Sequence, residues 1–187
     1  MSGAEIIATA LGVAGVGLMI RRNLWAFPVG IAQVLIFGWV CFAQKLYSET
    51  ALQVMFFAAL VHGWWHWTHA GPDKAELPVQ CLSTGARWAW GVATLVLWGT
   101  WGAAMQRAGA ALAWADAFVF AVSVCAQWLQ ARKCIENWPG WLVANTAAIG
   151  VFVVKELYLF AGLYGLFWAM ALWGWREWHM AMNGQHA

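Results

Sequence analysis

The second half of this chain repeats the first at a constant offset of 111 residues. The basic pair Arg21-Arg22 is matched by Arg132-Lys133, and Pro28 is matched by Pro139. Because every matched pair has the same spacing, the repeat indicates a duplicated unit of about three apolar segments. Other matched positions are Glu5 with Asp116, Leu46-Tyr47 with Leu157-Tyr158, Phe56 with Phe167, Gly63-Trp64 with Gly174-Trp175, and Trp67 with Trp178.

The composition places the repeated units in a membrane. The chain is 63% hydrophobic and 10% charged, whereas a soluble domain is roughly half apolar. Its 187 residues give room for about seven spans of roughly 20 residues each. Residues 4–20 are apolar and Arg21-Arg22 follows them, so we expect a retained first helix rather than a cleaved signal peptide.

Seven apolar segments separated by polar or glycine-containing breaks predict an all-α transmembrane protein. The longest break, 71–85, contains Pro72 and Pro78 and joins the two halves. The predicted spans are 4–20, 24–44, 49–69, 88–105, 113–131, 138–155 and 158–178.

The repeat also predicts the topology. Segments one to three match segments five to seven, and the fourth has no counterpart. Two three-helix units joined directly would have opposite orientations in the membrane, and one extra helix between them makes them parallel. We therefore predict two parallel three-helix bundles joined by a linker helix, a 3+1+3 arrangement. The units are 1–69, the loop and linker helix 70–111, and 112–187. Duplication of this kind is typical of membrane transporters, whose ligand site lies where the two halves face each other.

Basic residues predict the orientation. One side carries seven of them and the other three, so the first side is expected to be cytoplasmic, the N-terminus outside and the C-terminus inside. The first side holds Arg21, Arg22, Lys74, Arg87, Arg132, Lys133 and Arg176; the second holds Lys45, Arg107 and Lys155.

Two amide side chains lie near the middle of equivalent segments. Gln33 aligns with Ala144, one residue before Asn145, so the two amides have nearly the same depth. Amides both donate and accept hydrogen bonds, which suits a neutral polar ligand such as a carboxamide or a sugar hydroxyl. The alternative is hydrogen bonding between helices. Gln53, Ser123 and Gln127 are further polar candidates.

The 17 tryptophans divide by depth. Trp39 and Trp168 lie deeper than the others, where an indole can stack on a flat or cationic ring, although core packing explains them equally well. Nine others lie near the ends of their segments and are typical of an aromatic belt at the membrane interface: Trp25, Trp64, Trp65, Trp67, Trp138, Trp141, Trp173, Trp175 and Trp178.

Two other classes of protein stay open at this point. His62, His66 and His69 share one helical face and could hold a metal in a membrane metalloenzyme. A retinal-binding photoreceptor would need a lysine in the seventh segment, and the sequence has none between Tyr158 and Arg176. Glu5 and Asp116 are interpreted as interfacial charges, and the four cysteines as packing residues.

Several runs together resemble the PnuC family of bacterial vitamin transporters, and the resemblance covers essentially the whole chain. In the second half, Trp141 and Asn145 follow the first of the runs named next. The runs are Glu136-Asn137-Trp138, Lys155-Glu156-Leu157-Tyr158, Gly174-Trp175-Arg176-Glu177-Trp178, and, in the first half, Leu46-Tyr47-Ser48 and Gly63-Trp64-Trp65-His66-Trp67.

The resemblance implies a transporter and not an enzyme. It implies uptake of nicotinamide riboside across the bacterial inner membrane, without ATP or a cofactor, with trapping by a cytoplasmic kinase. It also implies a fold related to the SWEET sugar transporters and a homotrimer. Related subfamilies carry thiamine or riboflavin, and these substrates stay open.

We therefore predict a substrate site that combines amides with aromatic rings. The amides would bind the carboxamide and ribose, and the indoles would stack on the pyridinium ring. The predicted residues are Gln33, Gln53, Gln127 and Asn145, with Trp39, Trp141 and Trp168.

Overall fold

The computed structural model describes residues 3–44, 46–69 and 77–184, and in these ranges the chain forms seven α-helices. Lys45, Pro72 and Lys74, which entered the predictions above, lie outside the described residues. The prediction of an all-α, seven-helix protein is confirmed. The helices are α1 Gly3–Ile20, α2 Ala26–Ala43, α3 Tyr47–His69, α4 Thr84–Arg107, α5 Ala113–Ala131, α6 Asn137–Val154 and α7 Tyr158–Gly184.

Each helix is long enough to span a bilayer, since the shortest have 18 residues, or about 27 Å at 1.5 Å per residue. By length and composition alone, α1, α2 and α7 qualify as spans, with mean hydropathies of 1.8, 1.9 and 1.2. The helix α4 begins four residues before the predicted segment because Ser83 caps it, accepting a hydrogen bond from Ala86 N at 3.3 Å.

The duplication is visible in the backbone where α1 and α5 end. Arg22 and Lys133 are equivalent, and both have left-handed backbone angles, with φ of 57° and 58°. Beyond them, Asn23 N donates to Leu18 O at 3.0 Å. Its equivalent, Cys134 N, donates to Leu129 O at 2.9 Å. Non-glycine residues rarely adopt this conformation, so its repetition shows that the two halves share local structure as well as sequence.

The helices of each half pack in chain order, α1 on α2 on α3 and α5 on α6 on α7. The halves meet where α3 packs against α5 and where α7 packs against α1. Under the 111-residue offset these two contacts are equivalent. Helix α4 packs chiefly against α5. This packing fits the predicted 3+1+3 arrangement.

Four aromatic residues close one end of the bundle, the end that carries Arg21, Arg22, Arg132 and Lys133 and is called the basic end below. Phe27 meets Trp67 edge to face at 5.1 Å, and the equivalent pair Trp138 and Trp178 does so at 5.4 Å. Two hydrogen bonds cross between the halves: Trp67 Nε1 donates to Ala131 O at 3.0 Å and Trp178 Nε1 to Met19 O at 3.3 Å. We call these four residues the aromatic cluster.

The prediction of an interfacial belt is therefore wrong for Trp67, Trp138 and Trp178, which are buried. Depth along a helix is readable from sequence, but which face a residue occupies is not. Lys133, predicted as a charge of the cytoplasmic loop, is also buried, with Nζ 4.4 Å from the centroid of the Trp67 ring. A cation over an indole is stabilised without full hydration.

The segment 77–83, called the strap below, lies across the α5–α6 connection. Gln80 N donates to Lys133 O and Ile135 N to Gln80 O, both at 2.9 Å. Glu136 accepts hydrogen bonds from Leu82 N at 3.0 Å and from the guanidinium of Arg87 at 2.9 and 3.0 Å. The strap also contributes buried Leu77 and Val79, which share a hydrophobic core with three tryptophans of the aromatic cluster.

Candidate functional site

Helix α5 carries a buried polar face. It packs against α3, α4 and α6, and Ser123, Gln127 and Gln130 are spaced by four and three residues, which places them on one face. All three are buried. Their equivalents in α1 are Gly12, Val16 and Met19. The polar face therefore belongs to the second half alone.

An indole of α6 is hydrogen-bonded to this face. Trp141 Nε1 donates to Gln130 Oε1 at 2.8 Å. Phe56 of α3 meets the same indole edge to face, with the ring centroids 5.9 Å apart. Trp141 thus connects three helices drawn from both halves.

Gln127 and Asn145 lie one turn farther from the basic end. Because α5 and α6 are antiparallel, Gln127, three residues before Gln130, lies at the depth of Asn145, four residues after Trp141. Both amides are at least 94% buried, with exposures of 6% and 4%. Neither side chain hydrogen bonds with another described residue, so both remain available to a ligand. We call Phe56, Gln127, Gln130, Trp141 and Asn145 the interior cluster.

Gln33 belongs to the first half and is half-buried on α2. A Cβ built on Gly12 of α1 would lie 3.7 Å from Gln33 Cγ and 3.8 Å from the ring of Phe167. Phe167 is the equivalent of Phe56. Each half therefore places one phenylalanine and at least one polar side chain in the interior.

Gln53 is buried where α3 meets α2, 6% exposed. A Cβ on Gly38 would lie 3.2 Å from Gln53 Cβ. Its Oε1 is enclosed and finds no hydrogen-bond partner among the described residues. A buried carbonyl oxygen without a donor is costly, so this atom is a second polar position available to a ligand.

The two deeper tryptophans lie elsewhere. Trp39 is 71% exposed beside Phe42, so it faces outward from the bundle. Trp168 is 37% exposed, and its Nε1 donates to Thr146 Oγ1 at 3.1 Å. Of the seven predicted site residues, Gln127, Trp141 and Asn145 lie on the packed helices α5 and α6 within about one turn of each other in depth.

Gln130, Phe56 and Phe167 were not among the candidate residues of the sequence analysis. Gln130 could have been found from its spacing, because it lies three residues after Gln127 and so on the same face of α5. The signal for the phenylalanines was their exact match under the repeat.

The predicted interfacial acids have equivalent neighbours at the end opposite the basic end. Lys155 Nζ lies 2.9 and 3.0 Å from the carboxylate oxygens of Asp116. In the first half, Gln44 Nε2 donates to Glu5 Oε1 at 3.2 Å. These contacts tie α5 to α6 and α1 to α2 at the same depth.

The three histidines of α3 do not form a metal site. His62 and His66 stack at 5.8 Å, and His69 Nδ1 lies 2.9 Å from Trp65 O. Among the described residues, no group of three metal-ligating side chains is positioned to hold an ion.

Two surface grooves lie apart from the interior cluster. One, of about 200 Å³, runs between α4 and the α5–α6 hairpin, beside Arg87 and Glu136. The other, of about 510 Å³, lies along the end of α7 around Arg176 and His179. None of the seven predicted site residues lines either groove.

Two equivalent three-helix units around an interior of amides and aromatic rings define a membrane transporter of duplicated architecture. The family model described as nicotinamide mononucleotide transporter matches residues 2–180. The chain belongs to this family, and it is a vitamin transporter of the PnuC type.

Curated relatives are similar over nearly the whole chain. The riboflavin/roseoflavin transporter RibM of Streptomyces davaonensis is 30% identical, over 93% of this chain and 83% of RibM. The nicotinamide riboside transporter PnuC of Escherichia coli is 27% identical, over 95% of this chain and 85% of that protein. These relatives are transporters and not enzymes.

A solved structure has the same fold. The crystal structure of the vitamin B3 transporter PnuC superposes with a TM-score of 0.79, covering 97% of this chain and 82% of that one at 20% identity.

Proposed function

We propose that the protein carries nicotinamide riboside across the bacterial inner membrane by facilitated diffusion, with alternating access between its two halves. The observation that carries this proposal is the pair of buried amides, Gln127 and Asn145, which have no hydrogen-bond partner among the described residues and lie within about one helical turn of Trp141 in depth. Nicotinamide riboside offers a carboxamide and ribose hydroxyls to the amides, and a planar cation to the indole.

The distribution of acidic residues supports recognition of the cation by aromatic rings. Glu5, Glu49 and Asp116 lie in the first turns of their helices. Glu136 and Glu156 lie in connections, and Glu177 lies two turns before the end of α7. Because these carboxylates stand away from the middle of the bundle, the positive charge of the ligand would rest mainly on the rings.

Riboflavin is the second candidate, because the RibM relative is a riboflavin/roseoflavin transporter with 30% identity to this chain. A flat, neutral flavin ring would use the same rings without a charge. Thiamine is a third candidate, because its positively charged ring would also stack on the indoles.

Calorimetry on the detergent-purified protein tests the assignment. We expect binding of nicotinamide riboside, and no comparable binding of nicotinamide, thiamine or riboflavin. Asn145→Ala and Gln33→Ala should each weaken it about tenfold, the effect of losing one hydrogen bond to a ligand. The control is Gln106→Ala, an amide that accepts from Trp114 Nε1 on the exposed end of α4. Unchanged affinity in both site variants would show that the amides are not the site.

Transport into liposomes tests the mechanism. The purified protein should equilibrate labelled nicotinamide riboside without ATP or an ion gradient. Uptake should continue past equilibrium only when a kinase that phosphorylates the substrate is enclosed together with ATP, its phosphoryl donor. The homotrimer implied by the family resemblance stays a prediction, which mass measurement of the detergent-solubilised protein would check.

A further inference from the structure

We infer that Gln130 is a positioning residue that holds the indole of Trp141 in the orientation in which it receives the substrate ring. This inference rests on the proposed function, because it takes Trp141 as part of the substrate site. Gln130 itself need not touch the ligand.

The contact is short and partly buried. The 2.8 Å bond joins Trp141 Nε1 to Gln130 Oε1, and Gln130 is 9% exposed while Trp141 is half-buried. A donor-only indole nitrogen that leaves water usually finds an acceptor in the protein. Gln130 supplies that acceptor from α5.

The equivalent hairpin of the first half packs without this bond. The equivalents of Gln130 and Trp141 in the first half are Met19 and Gly30. The α1–α2 hairpin packs as the α5–α6 hairpin does, and it has neither the amide nor the indole. We therefore assign the Gln130–Trp141 pair a role in the substrate site that is specific to the second half.

The indole is fixed from two directions. Phe56 meets it edge to face from α3, with an interplanar angle of 77°, and Gln130 holds its nitrogen from α5. Without the acceptor, the nitrogen would turn to the nearby amides Gln127 and Asn145 and occupy the groups that the substrate needs. A ring already held in place loses less freedom on binding.

The test is a double-mutant cycle on nicotinamide riboside affinity, measured by calorimetry. Gln130→Met introduces the residue that the first half carries at this position, and Trp141→Phe keeps a ring but removes the donor. We expect each single variant to weaken binding about tenfold. The double variant should bind no more weakly than Trp141→Phe alone, because Gln130 acts through the indole.

A matched pair on α4 provides the control. Gln106→Met and Trp114→Phe break a second amide–indole bond, which is 3.1 Å long and exposed, and should leave binding unchanged. Melting temperatures of all variants separate a binding defect from a folding defect, and Gln130→Leu gives a second variant without the acceptor if Gln130→Met does not fold.

The outcomes separate this inference from the proposed function. If Trp141→Phe and Asn145→Ala both bind normally, the proposed site is wrong and the inference is wrong with it. If Trp141→Phe weakens binding but Gln130→Met does not, only the inference is wrong. Losses that multiply in the double variant would also overturn it, because they would show that Gln130 acts independently of the indole.

Discussion

At the residue scale, the packing around Gly63 and Gly174 explains why both halves of the repeat carry glycine at this position. A Cβ on Gly63 would lie 2.7 Å from Phe27 and 3.0 Å from the backbone of Ala131. A Cβ on the equivalent Gly174 would overlap the indole of Trp138. Phe27 and Trp138 are themselves equivalent and buried. Each glycine therefore provides the space that lets an aromatic ring reach the basic end of the bundle.

Gly174→Ala should destabilise the protein, because Trp138 is 1% exposed and has little room to move. Overpacking of this kind typically costs about 1–3 kcal/mol. Gly162→Ala is the matched control: it lies on the same helix, and its added Cβ would meet nothing within 4 Å. The control should keep or raise the melting temperature in detergent, since alanine favours a helix over glycine by about 1 kcal/mol. Equal melting temperatures for the two variants would contradict this explanation.

The sequence predicts the depth of a site residue well and its direction poorly. Helical rise is constant, so the depths of Gln33 and Asn145 could be read by counting residues. Trp39 was misplaced because lipid and protein interior are both apolar, so the pattern does not distinguish the two faces of a helix. The bond between Gln130 and Trp141 could not be predicted either, because it depends on how two helices rotate against each other.

At the element scale, one carboxylate joins the strap and the start of α4 to the α5–α6 connection, in addition to the backbone pairing of Gln80. Glu136 Oε1 accepts from both Leu82 and Arg87, and its side chain is 18% exposed. The strap in turn covers the α5–α6 connection. The stability of the segment therefore depends on a residue 54 positions away from Leu82.

Glu136→Ala should loosen the strap while leaving the helices intact. We expect amide hydrogen exchange of residues 77–83 to accelerate on the order of tenfold, because Leu82 N loses its acceptor. Glu177→Ala is the control, since that carboxylate accepts only a hydrogen bond from Trp173 on its own helix among the described residues. Exchange that remains slow in Glu136→Ala would show that the backbone pairing of Gln80 is sufficient to hold the strap in place without Glu136.

Helix existence was predictable from the sequence, and most helix ends were predicted to within two residues. The starts of α2, α3, α5 and α6 follow from the polar breaks between apolar runs. The end of α7 was not predicted, because this helix continues to Gly184 beyond the apolar stretch. The strap has no local pattern at all, since its backbone pairs with residues more than 50 positions away.

At the scale of the whole molecule, the orientation in the membrane stays a prediction, and native cysteines can test it. Cys81, in the strap at the basic end, is exposed, whereas Cys41, Cys125 and Cys134 are buried. Burial also raises the pKa of the Cys134 thiol to about 11, so it stays protonated and unreactive at neutral pH.

A membrane-impermeant maleimide should label Cys81 in inverted vesicles and not in intact cells, if the basic end is cytoplasmic. Cys81→Ser should abolish the labelling. Tyr158→Cys in the Cys81→Ser background should show the opposite pattern, because the exposed Tyr158 lies at the other end of the bundle. Labelling of Cys81 in intact cells would show that the basic end is outside and that the predicted orientation is wrong.

The equivalence of the α3–α5 and α7–α1 contacts has a consequence for what duplication allowed. A three-helix unit that carries both surfaces is self-complementary, so two separate copies with the same orientation could close on each other as a symmetric dimer. Such a dimer must present the same lining twice. Fusion through α4 removed that constraint, and Val16 could diverge from Gln127 and Val34 from Asn145. A single chain can therefore fit a ligand that has two different ends.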